Sequence, residues 1–357
     1  MNDVTILSDY LRFVHQSAER RLHDLRYLFL EVTQNCNLQC IHCGSDCVKD
    51  STVPYLPPDL ILKSLAEVAD RYNPNKIMIA MTGGEPLCYP RVFDLGLEIY
   101  KMGFPWGMVS NGLAWTARTV EKAQASGMHT ATISLDGLES EHNWLRGSAR
   151  SFKGAVKAIR MITEADFLYA FDVVTCVNRR NLDQLDSVRS LLIELGVRQW
   201  RIFTISPIGR ATQTPDLFLS GAQFRRLLDR ILDYREQGQI DVEYAESGFL
   251  GPCYEQRVRG YQSFCKAGVN IGGLMVNGDI LACPNIDRRL AQGNITTDSL
   301  VDVWENRFQA FRDRRWMRTG ECRSCQHWRL CQGNSIHLWD LDNGRTRLCH
   351  LSLIKSD

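Results

Sequence analysis

Cys36-Asn-Leu-Gln-Cys40-Ile-His-Cys43 places three thiols in one short segment. Three thiolates so spaced can wrap a [4Fe–4S] cluster and leave one iron open to a chelating ligand. A zinc ion is the competing occupant, because zinc takes four ligands in closed structural sites and Cys47 can supply the fourth. A second set lies in the C-terminal third: Cys253, Cys265, Cys283, Cys322, Cys325, Cys331 and Cys349. Its Cys322-x2-Cys325-x5-Cys331 run suits either an iron–sulfur cluster or a four-cysteine zinc site. Cys47, Cys88 and Cys176 are read as free thiols, with hydrogen-atom donation as the functional alternative for Cys88 and Cys176.

These residues need a scaffold, and the hydrophobic pattern predicts one. Strands are expected at 28–33, 76–81, 105–110, 130–137, 171–178 and 201–207, with helical periodicity between most of them. Six β-α units in series argue for parallel strands with helical crossovers. The three-cysteine segment, Gly83-Gly84-Glu85-Pro86, Ser110-Asn111-Gly112, Ser134-Leu-Asp136-Gly and Pro207-Ile208-Gly209-Arg210 all follow C-terminal strand ends. In such folds those ends gather on one face and carry the chemistry. After about 245 the helix–strand units stop and cysteine density rises, and Asn277-Gly278 marks a hairpin turn within 272–283. The expected division is a helical extension over 1–26, an α/β unit over 27–245 and a cysteine-rich unit over 246–357.

The 42 basic and 41 acidic side chains leave a net charge of +1, which removes the electrostatic case for nucleic acid or an anionic membrane. The 13 cysteines are odd in number and too few for a disulfide scaffold of 357 residues. There is no signal-peptide pattern and no run long enough to span a bilayer, so a cytoplasmic protein is expected.

On these motifs the chain resembles the radical S-adenosylmethionine (SAM) superfamily, and its C-terminal cysteines resemble the SPASM extension of that family. The resemblance covers about residues 28–350. It implies a partial (β/α)6 TIM-like barrel followed by a smaller SPASM domain with a β-hairpin. It implies that Cys36, Cys40 and Cys43 hold a [4Fe–4S] cluster that binds and cleaves SAM. By the same resemblance, Gly83, Gly84 and Glu85 face the methionyl amino group, and Ser110 and Asn111 lie near SAM. Ser134 and Asp136 meet ribose and methionine, Arg146 pairs with the carboxylate, and Ile208 packs on adenine through its backbone. His42 stands where the family often has an aromatic residue and is read as packing beside the cofactor. Cys322, Cys325, Cys331 and Cys349 match the ligands of an outer auxiliary cluster. Cys253, Cys265 and Cys283 are left for an inner one, because Ser335 stands where the family's further cysteine falls. That inner cluster has three expected forms: an open iron, a substitute ligand such as Ser335, or absence.

The family shares radical initiation and not one reaction. The favoured reading is a maturase acting on a peptide or protein, of the kind that makes ribosomally synthesised, post-translationally modified peptides (RiPPs), by crosslinking, oxidation or epimerisation. The alternative is a dehydrogenase or epimerase acting on a small molecule such as an aminocyclitol or sugar. An electron donor such as flavodoxin or ferredoxin is expected, and with only 26 residues before the barrel a separate peptide-recognition protein is a candidate partner. Asp287 and Glu255 are the conceivable bases, each with a stronger reading as a surface or supporting residue.

Overall fold

The computed structural model describes residues 3–260 and 263–356, with side chains from Tyr10 onward. The N-terminal helix α1 (Asp3–Leu22) accounts for most of the expected extension, and Met1 and Asn2 lie outside the described residues. Strands then alternate with helices: β1 (Tyr27–Thr33), α2 (Pro58–Arg71), β2 (Met78–Gly83), α3 (Val92–Lys101), β3 (Trp106–Ser110) and α4 (Ala117–Ala125). The series continues with β4 (Met128–Ser134), α5 (Glu139–Arg146), α6 (Ser151–Ala165), β5 (Ala170–Val177), α7 (Leu185–Glu194), β6 (Gln199–Thr204), α8 (Gly221–Gln237) and β7 (Asp241–Tyr244).

β1 to β7 pair in chain order and every pairing is parallel, so the sheet is the open wall of a partial barrel. The helices begin where the sequence signals them. Ser220 caps α8 and shares a reciprocal capping box with Gln223, and Gly238 ends that helix in the left-handed region. α2 starts at Pro58 and buries Ile61, Leu65 and Val68 on one face. One large cluster, from Leu28 and Ile79 through Ile159 and Val188 to Leu228, packs the helices onto the outside of the sheet.

Two differences from the sequence expectation matter. First, a seventh parallel strand exists: β7 is short, with acidic residues at two of its four positions, so its signal fell below the strand pattern. Second, the hairpin is not a separate feature of the cysteine-rich part. Its strands, β8 (Ile271–Leu274) and β9 (Asp279–Leu281), extend the barrel sheet, followed by β10 (Gly293–Asn294). β8 pairs in parallel with β1, Leu28 opposite Gly272, and β9 turns back antiparallel. β1 is thereby flanked on both sides, and the loop after it is held on a buried strand.

The remaining C-terminal residues form short helices, 3-10 turns and one small antiparallel pair, Trp339–Asp340 with Arg345–Thr346. They pack back on the barrel through Glu246 with His337 and through the helix His350–Lys355 on α8.

Candidate active site at the barrel mouth

The three-cysteine loop leaves β1 and is tied down on every side. The Cys36 amide donates to the Val48 carbonyl at 2.9 Å, and the Ile41 amide donates to Leu145, in the last turn of α5, at 3.0 Å. Arg210, just beyond β6, does the most. Its amide donates to the Cys43 carbonyl at 3.0 Å, and its guanidinium donates to the carbonyls of Cys40 and Cys47, each at 2.9 Å. Gly209 beside it has φ +53, and a Cβ there would stand 2.4 Å from the Cys43 carbonyl oxygen. Sequence reading placed this segment near adenine and missed its grip on the cysteine loop, since nothing in the spacing links position 210 to position 40.

Charge and amides also reach the sulfurs. Arg146 Nη1 lies 3.8 Å from Cys40 Sγ and its Nε donates to Asp136 at 2.5 Å. Asn111 Nδ2 lies 3.9 Å from Cys36 Sγ. Burial pushes the Cys36 thiol up to about 12 and raises Cys40, with Arg146 opposing the rise at Cys40. Cys43 is held below its usual range because the neighbouring Cys47 thiol hydrogen-bonds to it. Asp136 is fully buried, which favours its neutral form, yet Arg146 and then His42 and His142 outweigh that and hold its carboxyl down to about 2.

The Gly83-Gly84-Glu85 turn packs on backbone. Cβ atoms at Gly83 and Gly84 would fall 2.0 and 2.1 Å from the carbonyl oxygens of Thr33 and Asn35. These glycines therefore let β2 close against the root of the cysteine loop. The Glu85 carboxylate is 1% exposed and accepts from Ser110 Oγ at 2.7 Å, the Asn111 amide at 2.8 Å and the Leu87 amide at 3.3 Å. It locks the ends of β2 and β3 together, and Ser110 is buried in the same lock. Ser134 is buried at the end of β4. His42, Asp136 and Cys176 bring ligand atoms within 4.8 Å of one another, the tightest such grouping among the described residues. Arg146 already neutralises its carboxylate, so a cation has no counter-charge there. Burial pulls His42 down to about 4, keeping it neutral at pH 7. The Cys176 thiol is pushed up by burial, first of all, and then by Asp136.

Cys322, Cys325, Cys331 and Cys349 feel one another electrostatically, and burial pushes Cys331 up to about 12. A single zinc ion at 2.3 Å from each sulfur would draw its thiolates to about 3.8 Å apart. Among the described residues neither this set nor Cys36, Cys40 and Cys43 gathers within 4.8 Å. That spread, with an all-thiol donor set, fits a multi-iron cluster better than one ion. Cys265 is buried and Cys283 lies near it, whereas Cys253 is exposed. Glu255 is buried between Arg12 and Arg259, and Asp287 is gripped by Arg289 at 2.6 Å. Neither carboxylate is free to act as a base.

A cavity of about 420 Å³ lies between the barrel mouth and the C-terminal part. Gly44 of the cysteine loop and Ile208 and Gly209 beyond β6 border it on one side, and Asn285, Asp287, Arg288, His337 and Arg347 on the other. Arg288 is anchored to buried Glu31 of β1 at 2.8 Å, and His337 to buried Glu246 at 3.3 Å. Neither pairing was visible in the sequence.

Comparison with known proteins agrees with this layout. The profile of the radical SAM superfamily matches residues 30–192, and that of SPASM, an iron–sulfur cluster-binding domain, matches residues 265–326. The AdoMet-dependent heme synthase of Methanosarcina barkeri is 26% identical over 325 residues, covering 86% of this chain and 90% of its own. The mycofactocin maturase MftC of Mycolicibacterium smegmatis is 29% identical over 332 residues, covering 91% and 81%. The crystal structure of Streptococcus suis SuiB bound to its precursor peptide SuiA superposes with a TM-score of 0.70 at 19% identity, covering 93% of this chain and 77% of that one. At that identity the likeness is one of fold.

Proposed function

We propose, from the premise that this chain is a radical SAM enzyme with a C-terminal SPASM domain, that it modifies a peptide substrate by hydrogen-atom abstraction. A [4Fe–4S] cluster held by Cys36, Cys40 and Cys43 would supply the electron that cleaves SAM to a 5′-deoxyadenosyl radical. The protein's part is positioning. Arg210 and the α5 terminus fix the cysteine loop, and Arg146, oriented by Asp136, presents a guanidinium to the SAM carboxylate. Asn111, set by the Glu85–Ser110 lock, faces the same space. His42 packs beside the cofactor as a neutral ring, and Ser134 and the Ile208 backbone border the nucleoside. The cavity holds the substrate next to this assembly and keeps solvent from the reacting carbon. Initiation falls within 27–245, and 246–357 closes the substrate side and carries an auxiliary cluster on Cys322, Cys325, Cys331 and Cys349.

The polar wall of the cavity carries the peptide reading. Polar side chains outnumber apolar ones in it, which suits a backbone with polar groups better than a flat macrocycle. Relatives named as maturation enzymes, the mycofactocin maturase MftC and the sporulation killing factor maturation protein SkfB of Bacillus subtilis, support it. A small-molecule reading is favoured by the heme synthases, which align over more of their own length. One experiment separates the two. The reconstituted enzyme is given SAM, reductant and the peptide encoded by the short reading frame nearest its gene, or an iron-porphyrin precursor in its place. Peptide-dependent 5′-deoxyadenosine with a peptide mass change supports the proposal. The same response to the porphyrin alone rejects it.

A further inference from the structure

The inner end of the C-terminal part holds a buried polar atom with no partner among the described residues. Ser335 is wholly buried, and its Oγ has no hydrogen-bond partner among the described residues. A buried hydroxyl left unpaired is destabilising, so its presence calls for an occupant. The residues on either side of it are both bound to Cys265. Ahead, Arg314 bridges the Asn334 carbonyl, at 3.3 Å, to the Cys265 carbonyl, at 2.7 Å. Behind, the Ile336 amide hydrogen-bonds to the Cys265 sulfur. Ser335 is thereby clamped against Cys265, and Cys283 is the next thiol in reach. Cys253 is exposed, on the loop beside Tyr254, whose hydroxyl reaches Asp229 of α8.

We infer that Cys265, Cys283 and the Ser335 oxygen are the three protein ligands of a second auxiliary [4Fe–4S] cluster, whose fourth iron is open toward the cavity. The chain leaving Cys283 (Pro284, Asn285 and Ile286) and His337, just beyond Ser335, form that cavity's wall. Arg288 stands in the same wall, and its Nη1 is buried without a hydrogen-bond partner among the described residues, so the donor that suits the open iron is an anionic group of the substrate. Cys253 is excluded from the set. The inference rests on the SPASM reading and would survive failure of the peptide reading.

The test uses the full chain carrying Cys36→Ala, Cys40→Ala and Cys43→Ala, which removes the open iron of the SAM cluster. Anaerobic reconstitution is expected to give about 8 Fe per chain. Adding Ser335→Ala should lower this to about 4 and erase one EPR signal of the reduced protein. Adding Ser335→Cys should keep about 8 and move the g values of that signal, which guards against a mere folding defect. Adding Cys253→Ala should change neither. Carbon-13 cyanide should couple to the inner cluster in ENDOR spectra of the triple variant. Iron near ~4 before any further change, unaltered spectra in Ser335→Ala, or no cyanide coupling in the fully loaded protein would each overturn it. Peptide turnover is not read, so a wild type inert toward peptide with these iron values sinks only the peptide proposal.

Discussion

The two cysteine-rich regions are built in opposite ways. Cys36, Cys40 and Cys43 hang from β1, a strand flanked on both sides, and Arg210, Arg146 and Asn111 meet their carbonyls or sulfurs. Cys322, Cys325, Cys331 and Cys349 sit among 3-10 turns, a four-residue helix and a two-residue strand pair. The first site is shaped by the sheet before any iron arrives. The second has little regular structure of its own, so iron held there would also be part of its architecture.

Four experiments bear on that contrast. Replacing Cys36, Cys40 and Cys43 by Ala should abolish 5′-deoxyadenosine formation, a loss of at least ~10⁴-fold if initiation needs all three thiolates, while the C-terminal iron stays. Deoxyadenosine made by that variant would refute the initiation site. Arg146→Ala leaves the Asp136 carboxylate buried and uncompensated, and should cost about 3–5 kcal/mol of stability along with SAM affinity. Urea unfolding and SAM titration read the two effects, and unchanged binding would remove Arg146 from the site.

Iron removal by a chelator should next expose amides of 320–350 to hydrogen exchange by about 2–3 kcal/mol while β1–β6 keep their protection. Uniform loss of protection would mean that the barrel depends on iron as much as the C-terminal part does. The smallest effect is in acid. The Asp136 carboxyl is held down to about 2 against an ordinary 3.8, so its contribution is complete above pH 3.8 and disappears as pH falls through about 2. It amounts to about 2 kcal/mol. Asp136→Asn should therefore show a flatter stability profile between about pH 4 and pH 2 than the parent, and parallel profiles would count against the buried pair.

Much of this was legible beforehand, for identifiable reasons. β1–β6 announced themselves because buried parallel strands read as apolar runs ending in glycine or polar turns. β7 did not, because Asp241 and Glu243 break its pattern. The three-cysteine loop was readable because its ligands are close in sequence. Contacts that cross the fold were not: Arg210 on the cysteine loop, Glu31 with Arg288, and Glu246 with His337 join residues that no local period connects. The family resemblance also left Cys253 with Cys265 and Cys283, although its side chain is exposed. Glu85 was assigned outward to a ligand, and the structure turns it inward, because three donors at the ends of β2 and β3 compete for it.

The parallel pairing of β8 with β1 bears on how the protein is born. Tyr27–Leu30 wait for partners at Ile271–Leu274, most of the length of the chain away. A nascent chain emerging at ~5–20 residues per second would hold that edge bare for on the order of ten seconds or more. During that interval an apolar strand edge and three reactive thiols are displayed together. Chaperone capture and delayed iron delivery would both protect the same stretch of polypeptide, and the strands that finally cover it are among the later ones to leave the ribosome.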